Sequence, residues 1–375
     1  MRYTPFGTTG FGISRLGFGA MRLPMREIDG KNAVDEDVAI PMIHRAFELG
    51  VNYIDTAYMY CEGLSEVTVG RAVKGWRDRV CVSSKFPVSP GRSYRATLEE
   101  QLGRLDMDYL DYYHFHGIGK WFLEHEQRDE LIADAIRAKE EGLIRNISFS
   151  FHDKPEVMAD IIDLGIFSSV LCQYNLLDRA NEPALANAKA RGLGTVVMGP
   201  VGGGRIAGLP PDVAEKAGIH AASSAELALR FVFANPNVDC ALSGMSAPQM
   251  VEENAATASN AAPLSEAELA GINAAMEENK RLADLYCTGC KYCLDHCKQE
   301  VNIPQIFQAM NMYRVYGLKA HAQGMYDAIG GQWVKGKKAD WCQECGECEE
   351  HCPQKIAIRE QLKECADLFG AAAGA

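Results

Sequence analysis

Two runs of cysteines near the carboxyl end constrain this chain more than any other feature. They read Cys287-x2-Cys290-x2-Cys293-x3-Cys297 and Cys342-x2-Cys345-x2-Cys348-x3-Cys352-Pro353, with the same spacing both times. Three thiolates on one tight loop reach three corners of an iron–sulfur cubane, and the fourth cysteine of each run ligates the cluster of the other run. The spacing therefore predicts two [4Fe–4S] clusters that hold two distant segments together.

Zinc and disulfide bonds are the alternative uses of these cysteines. Structural zinc takes four ligands, usually as two separated pairs, and does not need a third cysteine two residues further on. Disulfides require an oxidising compartment, and no long apolar stretch follows Met1-Arg2-Tyr3-Thr4, so we predict no secretory signal. No apolar run reaches about 18 residues, which predicts no membrane span. These features predict a reducing, cytoplasmic location.

Composition and charge narrow the class of protein. The 375 residues are 47% hydrophobic and 23% charged, which is enough for a large core and for two domains, or one barrel with an appendage. The formal net charge of −12 argues against a nucleic-acid partner, because proteins that bind nucleic acid present a basic surface.

Residues 1–265 alternate short apolar runs with amphipathic helical patterns, which is typical of a parallel α/β sheet. The predicted strands are Ile13–Gly19, Val51–Ile54, Val80–Ser84, Tyr109–Phe115, Leu143–Phe149, Ser169–Gln173, Gly194–Met198 and Val238–Ser243. The predicted helices between them include Glu36–Leu49, Tyr94–Leu105, Arg128–Glu141 and Ser224–Ala234. Eight β/α repeats over about 250 residues indicate a TIM barrel. A doubly wound open sheet is the second choice, although no G-x-G-x-x-G follows the first strand.

The pattern changes after Pro263, where Ser265 is predicted to cap a helix that runs to about Leu282. Further helices are predicted after Pro304 and near Ala320–Ile329. We therefore predict a barrel domain at 1–264 and a mainly helical dicluster domain at 265–375, similar to the α-helical type of ferredoxin.

Titratable residues follow three consecutive predicted strands: Asp55 and Tyr60, then Lys85, then His116. Strands of a TIM barrel present site residues at their carboxyl ends, so we expect these four at one mouth. A tyrosine can protonate a carbonyl oxygen, and a nearby lysine stabilises its phenolate and lowers its pKa from about 10. The aspartate would hold the lysine, and the histidine would orient the oxygen. The set predicts carbonyl reduction by an external reductant; a buried ion pair among satisfied polar residues is the alternative.

At these residues the chain resembles the aldo-keto reductase superfamily. The resemblance spans the barrel in Asp55-Thr-Ala-x-x-Tyr60, Glu66-x-x-x-Gly70, Ser84-Lys85, Tyr109-Leu-Asp-Tyr-Tyr-His-Phe-His116, Gln173-Tyr174-Asn175 and Glu252-Glu253-Asn254. It implies a catalytic tetrad of Asp55, Tyr60, Lys85 and His116, with Tyr60 as the general acid. His114 then stays a structural histidine.

The resemblance also implies NAD(H) or NADP(H) as cofactor. The residues expected to bind it are Ser150, Gln173, Gly199, Gly202, Gly203, Gly244 and Asn254. Three positions depart from the family pattern: Phe151 replaces an asparagine, Met198 an aromatic residue, and Ser246 the basic residue for the 2′-phosphate. The choice between NADH and NADPH therefore stays open, as does the role of the glycine run 199–204, either a phosphate-binding loop or a flexible one.

The two halves move electrons differently, because a hydride carries two electrons and a [4Fe–4S] cluster passes one. We find no flavin motif that would couple them. Three functions follow. Our preferred hypothesis is a reductase of a small carbonyl substrate whose clusters exchange electrons with a ferredoxin-like or other carrier. The alternatives are a reductase with purely structural clusters, and a non-catalytic electron-transfer or docking subunit.

Overall fold

The described part of the chain forms two compact units. The structure is a computed structural model that describes residues 1–28, 30–89, 91–176, 178–201, 221, 223–260, 262–274, 287, 291, 293–314, 317–352 and 356–370. One unit lies within Met1–Ile206 and Ala225–Leu264, and the other within Ala207–Ser224 and Ser265–Ala375.

The first unit is a closed barrel of eight parallel strands. They are β1 (Leu16–Gly19), β2 (Tyr53–Asp55), β3 (Cys81–Phe86), β4 (Leu110–Ile118), β5 (Ile144–Phe151), β6 (Ser169–Gln173), β7 (Gly194–Met198) and β8 (Cys240–Ser243). Each strand pairs with the next along the chain, and β8 pairs with β1 through Leu242 and Gly17, which closes the ring. The predicted TIM barrel is confirmed and the open sheet is wrong. Four strands exceed their predicted ends: β2 runs to Asp55, β3 to Phe86, β4 to Ile118 and β5 to Phe151.

Helices follow the strands around the outside of the barrel fold. Their bounds are Glu36–Glu48, Ser65–Ala72, Tyr94–Leu105, Lys120–Leu123, Arg128–Glu140, Val157–Ile162, Glu182–Ala190, Ser224–Ala234 and Pro248–Asn260. The first one buries Ala39, Met42, Ile43, Ala46 and Phe47, which recur at the spacing of one helix face. The predicted helix bounds agree with the observed ones to within one residue in all four cases.

An aromatic plug fills the barrel at the amino ends of its strands. A hairpin of Tyr3–Pro5 and Gly12–Ser14 precedes β1 and carries Phe6 between its strands. The ring of Phe6 lies 5.1 Å from that of Tyr112 and 6.1 Å from that of Tyr53, and all three are buried. The site must therefore be sought at the opposite end, where the strands terminate.

The second unit is mainly helical, as predicted. Its helices are 266–274, Ile303–Arg314, Lys319–Asp327, Glu347–Glu350 and Ile358–Gly370, with a short 3-10 turn at Ala339–Trp341. Ser265 caps the first of them: its hydroxyl accepts from the Glu268 amide, and the Glu268 carboxylate accepts from the Ser265 amide. The predicted extension of this helix to Leu282 lies outside the described residues. Of the described helices, none combines the length and apolar character needed to cross a bilayer.

We expect Gly70→Ala to destabilise the barrel by about 1–3 kcal/mol, because its Cβ would lie 2.1 Å from the backbone oxygen of Leu105 and two helices would have to separate. Gly103→Ala is the matched control, since a Cβ at this helical glycine has nothing within 4 Å. Urea unfolding followed by circular dichroism measures both. Equal stability of the two variants would contradict the close packing at Gly70.

Candidate active site and cysteine cavity

Seven consecutive strands each bring one predicted site residue to the same end of the barrel. In order around the ring these residues are Asp55, Lys85, His116, Ser150, Gln173, Gly199 and Gly244, from β2 to β8. Tyr60 opens a short 3-10 turn, Tyr60–Gly63, directly after β2. Because the strands are parallel and the ring is closed, the residues expected to act in catalysis and those expected to bind the cofactor lie side by side around one mouth.

A buried ion pair lies among the residues expected to act in catalysis. The Lys85 ammonium donates to Asp55 Oδ2 at 2.5 Å and to the backbone oxygen of Thr56 at 2.8 Å. The Ser83 hydroxyl donates to Asp55 Oδ1 at 2.7 Å, so both carboxylate oxygens are held. Burial lowers the pKa of Lys85, but the interactions with Asp55 and Tyr60 raise it by a larger amount. The pKa is therefore raised overall, and the amine stays charged.

Tyr60 lies against this ion pair. The Lys85 nitrogen is 4.8 Å from the centre of the Tyr60 ring, and the His116 ring meets the Tyr60 ring edge-on at 6.2 Å. Burial raises the pKa of Tyr60, Lys85 lowers it, and Asp55 raises it again, with a net increase. The expected lowering by Lys85 is therefore present but outweighed by burial. Tyr60 consequently rests in its protonated form, as a proton donor must.

The two histidines of β4 are both neutral at ordinary pH. Burial and the Lys85 charge lower the pKa of His116 to about 3. Burial and Lys85 also bring the pKa of His114 to about 3, and this side chain is fully buried with its Nε2 3.4 Å from the Tyr53 hydroxyl. His116 therefore lies at the mouth as an uncharged hydrogen-bonding group, while His114 lies inside the protein.

A buried polar network packs behind the lysine. The Glu66 carboxylate accepts from the Ser84 hydroxyl and the Gln101 amide, both at 2.5 Å, and Gln101 also donates to the Lys85 backbone oxygen at 3.2 Å. The Tyr113 hydroxyl donates to the Gln101 side-chain oxygen. This network fixes the backbone of β3 next to Lys85. Sequence reasoning missed Gln101 and Tyr113; a glutamine within the apolar face of the Tyr94–Leu105 helix was the available signal.

Two of the residues expected to bind the cofactor present polar groups with spare hydrogen-bonding capacity. Within the described residues the half-buried Gln173 amide forms no hydrogen bond, and it lies so close to Gly199 that a Cβ there would be 2.7 Å from its nitrogen. The Ser150 hydroxyl accepts from the Gly117 amide at 2.7 Å and keeps its own proton to donate. These features suit an amide-bearing ring at this half of the mouth. Gly202 and Gly203 lie outside the described residues.

An arginine from another loop, Arg22, reaches the loop after β8. Arg22 packs its methylenes against Gly244, with Cδ 3.4 Å from the position that a Cβ would occupy. The two are distant in sequence, but the pairing of β8 with β1 brings their loops together. Asn254 is buried and donates to the Ser243 hydroxyl at 3.2 Å, so it supports the end of β8.

Four cysteines of the second unit line one cavity of about 240 Å³. They are Cys297, the fourth of the first run, and Cys342, Cys345 and Cys348, the first three of the second run. The Val301 amide donates to the Cys297 sulfur and the Glu344 amide to the Cys342 sulfur, both at 3.4 Å. Amide bonds to sulfur are typical of cluster thiolates, whose potential they tune. The donor set, the exchanged fourth cysteine and the cavity fit a [4Fe–4S] cluster.

Three of the remaining cysteines of the two runs belong to the hydrophobic core of the second unit or pack against it. Cys293 and Cys352 are buried in it and Cys287 packs against it, whereas Cys290 lies outside the described residues. Within the described residues no disulfide bond joins two cysteines. Among the described residues, no three Cys, His, Asp or Glu side chains are grouped as ligands of a single metal ion.

The chain matches two protein-family models. The Aldo/keto reductase family model matches residues 15–277, and the 4Fe-4S dicluster domain model matches 286–357. L-galactose dehydrogenase of Arabidopsis thaliana is 31% identical over 283 residues, which cover 67% of this chain and 86% of that protein.

Solved structures of aldo-keto reductases resemble the barrel. The holo form of AKR11C1 from Bacillus halodurans has a TM-score of 0.63 at 28% identity and covers 73% of this chain and 96% of its own. A Klebsiella pneumoniae aldo/keto reductase, solved with NADP and acetate, has a TM-score of 0.62 at 26% identity, with coverage of 73% and 95%. The chain belongs to the aldo/keto reductase family, and is thus an oxidoreductase, with a 4Fe–4S dicluster domain after the barrel.

We expect Asp55→Asn to destabilise the barrel by about 3–5 kcal/mol, because it leaves the Lys85 charge buried without its counterion. Urea unfolding at neutral pH measures the change. The control is Asp106→Asn, the same substitution in an exposed pair with Lys74, where we expect little change. A similar small effect of both variants would show that the Lys85 charge does not depend on Asp55.

We expect Cys348→Ala to lower the iron content of anaerobically purified protein by one cluster, because it removes a thiolate from the cavity. Cys365→Ala is the matched control, a buried cysteine of the same core outside both runs, and should keep its iron. Iron and sulfide analysis with the visible spectrum measures both. Full iron content in Cys348→Ala would refute its role as a ligand.

Proposed function

We propose that this protein reduces a small carbonyl compound to an alcohol at Tyr60, and that its two [4Fe–4S] clusters exchange electrons with a carrier protein. The observation that carries the proposal is the buried Asp55–Lys85 pair against the Tyr60 ring, with the neutral His116 ring edge-on to the same tyrosine. In this proposal Asp55, Tyr60, Lys85 and His116 are the catalytic residues.

The residues of the mouth have separate tasks in the reduction. NAD(P)H, when bound, supplies the hydride. The neutral His116 ring donates a hydrogen bond that orients the carbonyl oxygen near the Tyr60 hydroxyl. Tyr60 would donate its proton to that oxygen, and solvent would later return a proton to Tyr60. Lys85 stabilises the transient phenolate, and Asp55 keeps Lys85 charged. The substrate thus gains one hydride and one proton.

The nucleotide would occupy the half of the mouth formed by β5 to β8. Ser150 and Gln173 would hold the carboxamide of the nicotinamide, and Gly199, Gly202, Gly203 and Gly244 would allow close approach of the phosphates. Asn254 would contribute indirectly, because its hydrogen bond to Ser243 supports the end of β8. The Klebsiella pneumoniae relative carries NADP, and Arg22 offers a cation beside Gly244. The exposed Ser246 offers none, so the choice between NADH and NADPH is an experimental one.

The clusters would be held by exchanged cysteines. One would use Cys297, Cys342, Cys345 and Cys348, and the other Cys287, Cys290, Cys293 and Cys352. Cys345 is exposed, so an edge of its cluster would lie near the surface, which favours electron exchange. The alternative of purely structural clusters is supported by the burial of Cys293, Cys348 and Cys352 in the core of the unit.

Two further assignments accompany the proposal. We place the division between the barrel and the dicluster domain at residues 264 and 265, and we propose a cytoplasmic location. Eight cysteines at the spacing of cluster ligands would have to stay reduced, which supports a reducing compartment.

We expect Tyr60→Phe to lower carbonyl reduction by about 10²–10⁴-fold, because the proton donor is lost while the ring remains. Iron content should not change. Tyr58→Phe is the matched control: its hydroxyl donates to Glu100 instead, and its activity should stay close to that of the wild type. NADH and NADPH oxidation with a panel of aldehydes and ketones measures both variants. Undiminished activity of Tyr60→Phe would remove Tyr60 from the mechanism.

A fluorescence titration with NADH and NADPH separates the enzyme from a docking subunit. The reductase requires that at least one nucleotide binds and that the Tyr60→Phe variant still binds it. If neither nucleotide binds the wild type, the non-catalytic subunit is the better hypothesis.

A further inference from the structure

An aromatic and basic surface lies between the two cysteine runs. Its members, which we call the Trp333 surface, are Trp333, Lys335, Lys337 and Trp341. Trp333 is 89% exposed and Trp341 is 52% exposed. Large apolar side chains that are grouped at a protein surface usually mark an interaction site. Both lysines are exposed.

The backbone that presents Trp333 is well ordered by hydrogen bonds. The Gly330 amide donates to the Val334 oxygen at 2.8 Å, and Ile329, which is buried, forms a β-bridge with Val334. The Asn302 side chain donates to the Lys335 oxygen at 2.7 Å. Trp333 is therefore exposed at the tip of a turn whose base is fixed by hydrogen bonds.

The Trp333 surface is connected to the cysteine cavity by direct contacts. Val301 forms a β-bridge with Lys337, lines the cavity and donates its amide to the Cys297 sulfur. On the other side, the Lys337 nitrogen lies 4.7 Å from the centre of the Trp341 ring, and Trp341 directly precedes Cys342. A protein bound at this surface would therefore lie one layer of residues from the proposed cluster ligands.

The charge of this surface differs from that of the chain. Residues 330–341 contain three lysines and one aspartate, whereas the formal net charge of the protein is −12. Lys338 pairs with Asp327 at 3.5 Å, but within the described residues Lys335 and Lys337 form no ion pair.

Two carboxylates on the second cysteine run have other cations as partners. Glu347 pairs with Lys298 and Glu349 with Arg359, each at 2.8 Å. The free positive charge beside exposed tryptophans suits an acidic partner, because complementary charge accelerates encounter and aromatic side chains anchor an interface.

We propose that the Trp333 surface docks an acidic one-electron carrier protein of the ferredoxin type. The inference rests on the proposed exchange of electrons by the clusters and names its partner. In each encounter the reduced carrier is oxidised by one electron and the cluster held at Cys297, Cys342, Cys345 and Cys348 is reduced by one, with no proton or bond transferred.

Stopped-flow spectroscopy of the full-length holoprotein tests the proposal. An acidic two-[4Fe–4S] bacterial ferredoxin, reduced and mixed without air, serves as the probe. We expect Lys335→Glu/Lys337→Glu to lower the second-order rate constant by about tenfold or more at low salt and to remove its decrease with rising salt. Trp333→Ala should raise the dissociation constant while keeping the salt dependence.

Two controls distinguish a loss of docking from a loss of the folded, cluster-containing protein. Lys31→Glu/Lys139→Glu makes the same change in charge at two exposed barrel lysines and should react like the wild type. Every variant should keep its iron content and its full reduction by dithionite.

The outcomes distinguish the two proposals. If the ferredoxin reduces wild type and surface variants equally fast, the docking surface is wrong and electron exchange stands. If the ferredoxin does not reduce even the wild type, while dithionite does, both fail. If Trp333→Ala instead abolishes self-association in sedimentation and leaves the ferredoxin rate unchanged, the surface binds a second copy of the chain and the proposal is overturned.

Discussion

The buried ion pair of Lys85 and Asp55 is the interaction on which the barrel site depends. A charge taken out of water is costly unless its partner and hydrogen bonds replace the lost solvent. Here both oxygens of Asp55 and the Lys85 nitrogen have partners on neighbouring strands. The charge that remains acts on its surroundings: it opposes the rise in the pKa of Tyr60 and helps to keep His116 neutral. One lysine thereby influences the pKa of both groups that would meet a carbonyl oxygen, although burial has the larger effect on each.

Closure of the barrel decides which distant residues become neighbours. Alternation of apolar runs and helical faces was enough to predict eight strands and several helices to within a few residues, because each signal is local. The contact of Arg22 with Gly244 was missed, since it exists only because β8 pairs with β1. Gln101 and Tyr113 were missed for a similar reason. Their polarity is explained by Glu66 and Ser84 on other elements, which a single sequence does not reveal.

The cysteine runs show the opposite case, in which the spacing in the sequence is enough to predict which residues lie together. The spacing predicts that the fourth cysteine of one run joins the first three of the other, and Cys297 shares a cavity with Cys342, Cys345 and Cys348. The direction of the Tyr60 pKa could not be read in this way, because burial depends on the whole fold and exceeds the effect of one neighbouring charge. Local patterns thus predict ligands and strands, and the fold determines energies.

The exposure of Cys345 also has a cost. A cluster ligated by an exposed sulfur would lie within range of dioxygen as readily as within range of a protein. Once the iron is lost, the bare thiol is open to oxidation to sulfenic and higher acids, and the higher steps are irreversible. The same opening that would speed turnover therefore limits the lifetime of the protein in air and favours a habitat in which oxygen is scarce.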